Sequence, residues 1–129
     1  MLAQAKAFNG FAVPDLNEAR QFYGEVLGLD TEVMDEQNGL MTLHLSGGHD
    51  TLVYAKPDHE PATYTILNFN VDDIDAAVDG LAERGVEFDR YDGMEQDEKG
   101  IMRGRAAGRG PDIAWFTDPA GNILSVLQE

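Results

Sequence analysis

The chain has 129 residues, 43% of them hydrophobic, which is one domain's worth of sequence with enough apolar content for a substantial core. A net charge of −15, from 24 acidic against 9 basic residues, works against a phosphate backbone as partner, and the only basic cluster is Arg103, Arg105 and Arg109. There is no cysteine, hence no disulfide, no thiolate nucleophile and no sulfur-ligated metal.

No apolar run approaches a membrane span, and the start, Met1-Leu2-Ala3-Gln4-Ala5-Lys6, lacks a basic segment followed by a long apolar one, so the expected location is cytoplasmic. Residues 6 to 13 alternate as a strand, with Phe11 and Val13 on one face and Phe8, Gly10 and Ala12 on the other. Asp15 follows as a helix N-cap, and Ala19, Phe22, Tyr23, Val26 and Leu27 form a helical stripe that ends before Gly28. Strands are predicted at Thr31 to Met34, Leu40 to Leu45 and Thr51 to Ala55, the first two joined by a tight turn at Asn38-Gly39. A proline-bounded polar connector, residues 57 to 62, separates this first module (6–56) from a second (63–128).

The second module repeats the order. Val13-Pro14-Asp15-Leu16, followed by Ala19, corresponds to Val71-Asp72-Asp73-Ile74, followed by Ala77, at one shift of 58 residues (71 minus 13). Tyr64 to Val71 reads as a strand, Ile74, Ala77, Val78 and Leu81 as a helix stripe, and Val86 to Tyr91 as the next strand. Asp92 to Pro111 is a long irregular stretch, with a short strand near Gly100 to Arg103 and the character of a mobile loop or lid. Ile113 to Thr117 and Ile123 to Leu127 complete an α+β chain of two βαβββ modules.

These motifs, with Val26-Leu27-Gly28-Leu29, Arg84-Gly85-Val86 and Phe116-Thr117-Asp118-Pro119-Ala120-Gly121-Asn122, resemble the vicinal oxygen chelate superfamily over nearly the whole chain. That superfamily contains glyoxalase I, fosfomycin and bleomycin resistance proteins, methylmalonyl-CoA epimerase and extradiol dioxygenases. The resemblance implies a partly open curved sheet whose concave face holds a divalent metal in the enzymes. The positions matching the enzymes' metal ligands are Phe8, Ile66, Ser125 and, by a less secure alignment, Val53. Three apolar side chains and one hydroxyl supply no coordination shell for a hard or borderline divalent ion, so no metal and no other cofactor is expected.

Other residues compete for a role. Alternation puts His44 and Thr42 on the open side of their strand, where His44 is either a satisfied structural histidine or an acid/base group. His49 and His59 fall in turns. Asn68, Asn70 and Ile66 share one face, and Trp115 lies opposite Phe116, so amides and an aromatic floor would suit a flat organic ligand; packing at a subunit interface is the equal alternative. The glycine-rich run Gly100 to Gly110 lacks the Gly-Lys-Ser/Thr of a phosphate loop, leaving Arg103 as the favoured anion contact. The expected protein is a metal-free binder or sequesterer of a small organic molecule, acting as a homodimer. The alternative is a lyase, isomerase or dioxygenase with a non-standard metal site or His44 chemistry, and the third reading is a scaffolding module.

Overall fold

Two aspartates start the two helices in the same way. In the computed structural model, which describes residues Met1–Glu129, Asp15 Oδ1 accepts the backbone N–H of Glu18 at 3.2 Å and Asp73 Oδ1 that of Ala76 at 3.1 Å. Each carboxylate thereby satisfies one of the free N–H groups of a first helical turn. Both helices exit at a glycine with positive φ, Gly28 at 73° and Gly85 at 90°.

The chain forms two compact units, Met1–Glu60 and Pro61–Glu129. In the first, after a short 3₁₀ turn at Leu2–Gln4, come β1 (Asn9–Val13), α1 (Leu16–Arg20), β2 (Asp30–Asp35), β3 (Leu40–Leu45) and β4 (His49–Ala55). The sheet order is β1-β4-β3-β2, with β1 parallel to β4 and the other pairs antiparallel. The predicted helix runs to its expected end, but from Gln21 to Val26 it widens into a π-helix, and Leu27 N donates to Phe22 O at 2.9 Å. The widened turn seats Tyr23, fully buried, against Phe11 at 5.5 Å and Phe22 at 5.1 Å between ring centroids. Phe11, Val13, Met41, Leu43 and Val53 are the buried side of the sheet beneath Ala19 and Tyr23. Each such side chain contributes about 1.5–3 kcal/mol by leaving water.

The second unit holds β5 (Thr65–Asn70), α2 (Ile74–Glu83), β6 (Met102–Arg103), β7 (Asp112–Thr117) and β8 (Ile123–Gln128), in the order β5-β8-β7-β6. Again the first and last strands are parallel neighbours. Leu67, Ala114, Phe116, Leu124 and Val126 are buried beneath Ile74 and Val78 of α2. Both units are therefore βαβββ modules.

The expected strand at Val86 to Tyr91 is reduced to one bridge, Phe88 to Phe116, and the fourth strand of the sheet is β6. The reason is a glutamine. Gln96 Oε1 accepts the Tyr91 N–H, and its Nε2 donates to Asp89 O and Gly100 O, each at 2.9 Å, so backbone groups that a strand would use are taken by a side chain. Arg90 adds bonds to Asp97 O and Glu98 O. Much of the stretch expected to be a mobile loop is thus tied down at its backbone, while Asp92 to Glu95, Glu98 and the β6–β7 turn from Arg105 to Gly110 stay exposed. No helix is long and apolar enough to cross a membrane.

Candidate functional site

Strand register decides which side chains meet. Because residues alternate faces, the side of each sheet away from its helix is lined by the partners of a single row set. In the second unit Asn68 pairs with Ser125 and Ser125 with Trp115; the next row is Asn70, Leu127, Ile113 and Met102. Ile66 sits at a bulge between Thr65 and Leu67 on the same strand. Asn68, Asn70 and Trp115 thus share one open face, as alternation predicts, and Ser125 joins them, whereas the bulge takes Ile66 out of the register.

Ser125 is fully buried, and its Oγ donates to Asn68 Oδ1 at 2.5 Å. That bond uses the amide's carbonyl and leaves its NH₂ to donate outward. Trp115 stands edge-on to Tyr91, ring centroids 5.5 Å apart and planes at 87°. Burial, with a smaller effect from the Asp89 carboxylate, pushes the Tyr91 phenol upward, so it stays neutral at ordinary pH. Tyr91 was not among the expected site residues, because nothing in the sequence says that its irregular segment folds back onto Trp115.

In the first unit the open row is Gly10, Leu52, Thr42 and Glu32, followed by Asp50, His44 and Asp30. A cavity of about 490 Å³ opens here, lined by Lys6, Phe8, Met34, Thr42, Asp50 and Leu52. Phe8 and Thr42 both line it, with Phe8 67% exposed. Val53 is a correction: it is fully buried beside Phe11 and Met41 on the helix side, and the open-face residue of that strand is Leu52.

His44 has two carboxylate partners. Its Nδ1 lies 2.9 Å from Asp50 Oδ1 and its Nε2 2.9 Å from Glu32 Oε1. The Glu32 bond first, then that of Asp50, raises the His44 value above the ordinary one, and in the protonated ring both nitrogens donate. While it is an imidazolium the ring has no lone pair to act as a base.

Arg103 is a second correction. Its guanidinium donates to both oxygens of Asp75, at 2.7 and 3.0 Å, and through Nε to Asp97 Oδ2 at 3.1 Å, with Asp112 Oδ2 at 3.8 Å. The Arg103 bonds hold the Asp75 carboxyl down at about 2. An arginine hydrogen-bonded to two carboxylates with a third 3.8 Å away fastens α2 to β6, and its charge is already compensated within the protein.

The residues present do not fit a divalent ion. Phe8, Ile66 and Leu52 offer carbon, Ser125 offers a hydroxyl already donating to Asn68, and no group of three or more His, Asp or Glu side chains is arranged as a ligand set.

The sequence matches the family model of the Glyoxalase/Bleomycin resistance protein/Dioxygenase superfamily over residues 6–126. The chain belongs to that superfamily. Among solved structures, TnmS3, an antibiotic binding protein from Streptomyces sp. CB03234, is 24% identical, covers 97% of each chain and superposes with a TM-score of 0.66. The fosfomycin resistance protein FosX from Listeria monocytogenes is 16% identical over 96% of this chain and 90% of its own, TM-score 0.67. A glyoxalase/bleomycin resistance/dioxygenase superfamily member from Sphaerobacter thermophilus is 23% identical over 97% and 98%, TM-score 0.67. A search of curated proteins gave no match. At these identities the structures establish the superfamily's fold, and the chemistry must be argued from the site.

Proposed function

We propose that this superfamily member binds and sequesters a small organic molecule without converting it, working as a metal-free cytoplasmic homodimer. The observation that carries this reading is the open face of the second sheet, where Trp115, edge-on to Tyr91, shares a row with the Asn68 amide across Ser125 and no charged side chain falls in that row. A flat ligand would stack on the rings and accept a hydrogen bond from the amide. The apolar positions 8, 52 and 66 support binding over metal-assisted chemistry, and the doubly engaged His44 speaks against general-base catalysis. The likeness to TnmS3, an antibiotic binding protein, is consistent with this reading. The net charge of −15 argues against nucleic acid as the ligand.

Trp115 is the chain's only tryptophan, so its fluorescence reports directly on the proposed face. A panel of flat aromatic compounds, bleomycin included, titrated into the protein should give saturable quenching with a matching rise in melting temperature, since ligand bound to the native state stabilises it. Mass spectrometry should return the bound compound unchanged. Turnover of a panel member, with or without added Zn²⁺, Ni²⁺ or Mn²⁺, would defeat the proposal. Sedimentation of the purified protein tests the homodimer.

A further inference from the structure

The cavity of the first sheet differs in chemistry from the open face of the second. Phe8, Met34 and Leu52 give it apolar walls, and Asp50 is its only acidic wall residue. Asp50 Oδ1 is held by His44, while its Oδ2 has no partner. Charged groups reach His44 from both neighbouring strands: Glu32 and Asp30 from β2, and Asp50 from β4. Lys6, from the segment before β1, lines the cavity but makes no ion pair with them. His49 lies on the other side of β4, where its Nε2 meets Asn9 Oδ1 at 2.9 Å.

Protonation of His44 therefore sets the charge at the cavity wall. One imidazolium against two carboxylates leaves the His44, Glu32 and Asp50 cluster at −1, and loss of the ring proton takes it to −2. The neutral ring keeps a single N–H, so one carboxylate loses its donor. We propose that this cavity binds an organic cation with an apolar body, its positive group replacing the His44 proton as the counter-charge of Asp50, so that binding releases a proton to solvent. The inference rests on the small-molecule-binding reading above and adds the ligand's charge class and its coupling to pH. By linkage, whatever lowers proton affinity at His44 on binding makes binding tighter as protons are removed.

The test uses phenyltrimethylammonium, whose charge does not titrate, and tert-butylbenzene, its uncharged isostere, titrated calorimetrically into the full chain between about pH 5 and about pH 9. The cation should bind about three- to tenfold more tightly at the upper end, as one extra unit charge a few ångströms away implies, while the isostere should show no pH dependence. Buffers of different ionisation enthalpy should report proton release with the cation alone. NMR titration of the His44 ring should move to lower pH when the cation is present. His44→Gln should flatten the cation's pH profile, and Asp50→Asn should bring the cation down to the isostere's affinity, retained isostere binding showing that the fold survives. Equal, pH-independent binding of the two probes, absence of binding by both, or an upward move of the His44 titration would overturn the inference. None of those outcomes touches the sequestering reading, which stands or falls on turnover of compounds bound at Trp115.

Discussion

Removing the Trp115 ring is the sharpest residue-scale test of the second sheet's open face. Trp115→Ala should weaken a flat aromatic ligand about tenfold, the loss of one stacking partner, when binding is followed by calorimetry. The fold should survive it, because the core lies on the opposite face at Ala114 and Phe116. Arg103 behaves differently. Arg103→Met leaves Asp75, Asp97 and Asp112 clustered without their cation, and denaturant unfolding should register a loss of about 1–3 kcal/mol, moderated by solvent because the guanidinium is 37% exposed. The same variant should leave ligand binding at Trp115 unchanged. Residue-scale reading of the sequence succeeded where strict alternation operates, at Asn68, Asn70 and Trp115. Val53 came from the less secure alignment with the superfamily's ligand positions, and the pairing of Leu52 with Gly10 and Thr42 shows that the outward-facing residue is one position earlier. Asp50 and Tyr91 escaped notice because pairing, not sequence neighbourhood, brings them to their sites.

At the scale of elements, two glycines make opposite predictions. Gly80 lies inside α2 with open space where a Cβ would go, so Gly80→Ala should raise stability by about 0.5–1 kcal/mol through helix propensity. Gly104 follows β6, and a Cβ there would lie 2.4 Å from Pro111 O, a backbone atom that cannot swing aside. Gly104→Ala should therefore disrupt the β6–β7 connection and lower the melting temperature, with a loss of about 1–3 kcal/mol. Helix starts and glycine exits were legible because they depend on local chemistry, an aspartate cap and a positive φ. The reduced strand at residues 86 to 91 was not, because its backbone partners come from the side chain of Gln96 beyond the next turn. Likewise the π-helical widening at Gln21–Val26 leaves the apolar stripe intact and gives no signal in hydropathy.

For the whole molecule, charge governs the response to pH and salt. His44's raised value means that its ion pairs stabilise fully below the ordinary 6.5 and that this contribution is lost as pH rises through the raised value. Asp75's depressed value means that its contribution is present above the ordinary 3.8 and lost as pH falls toward about 2. Melting temperature should accordingly plateau between those ordinary values and decline on either side, the alkaline decline disappearing in His44→Gln. Added salt should raise the melting temperature at neutral pH. The repulsion behind a net charge of −15 acts over long distances that about 0.1 M salt screens, whereas the close contacts of Arg103 are screened less.

The parallel pairing of each module's first and last strands also shapes how the chain comes off the ribosome. β1 acquires its neighbour only when β4 has been made, about forty residues later, so each module's sheet closes late and by a long-range contact. Yet the first module needs nothing beyond Glu60 to complete its hydrogen-bonded ladder. Synthesis can therefore finish one half before the other begins to form, and nascent strands from the two repeats are kept apart in time.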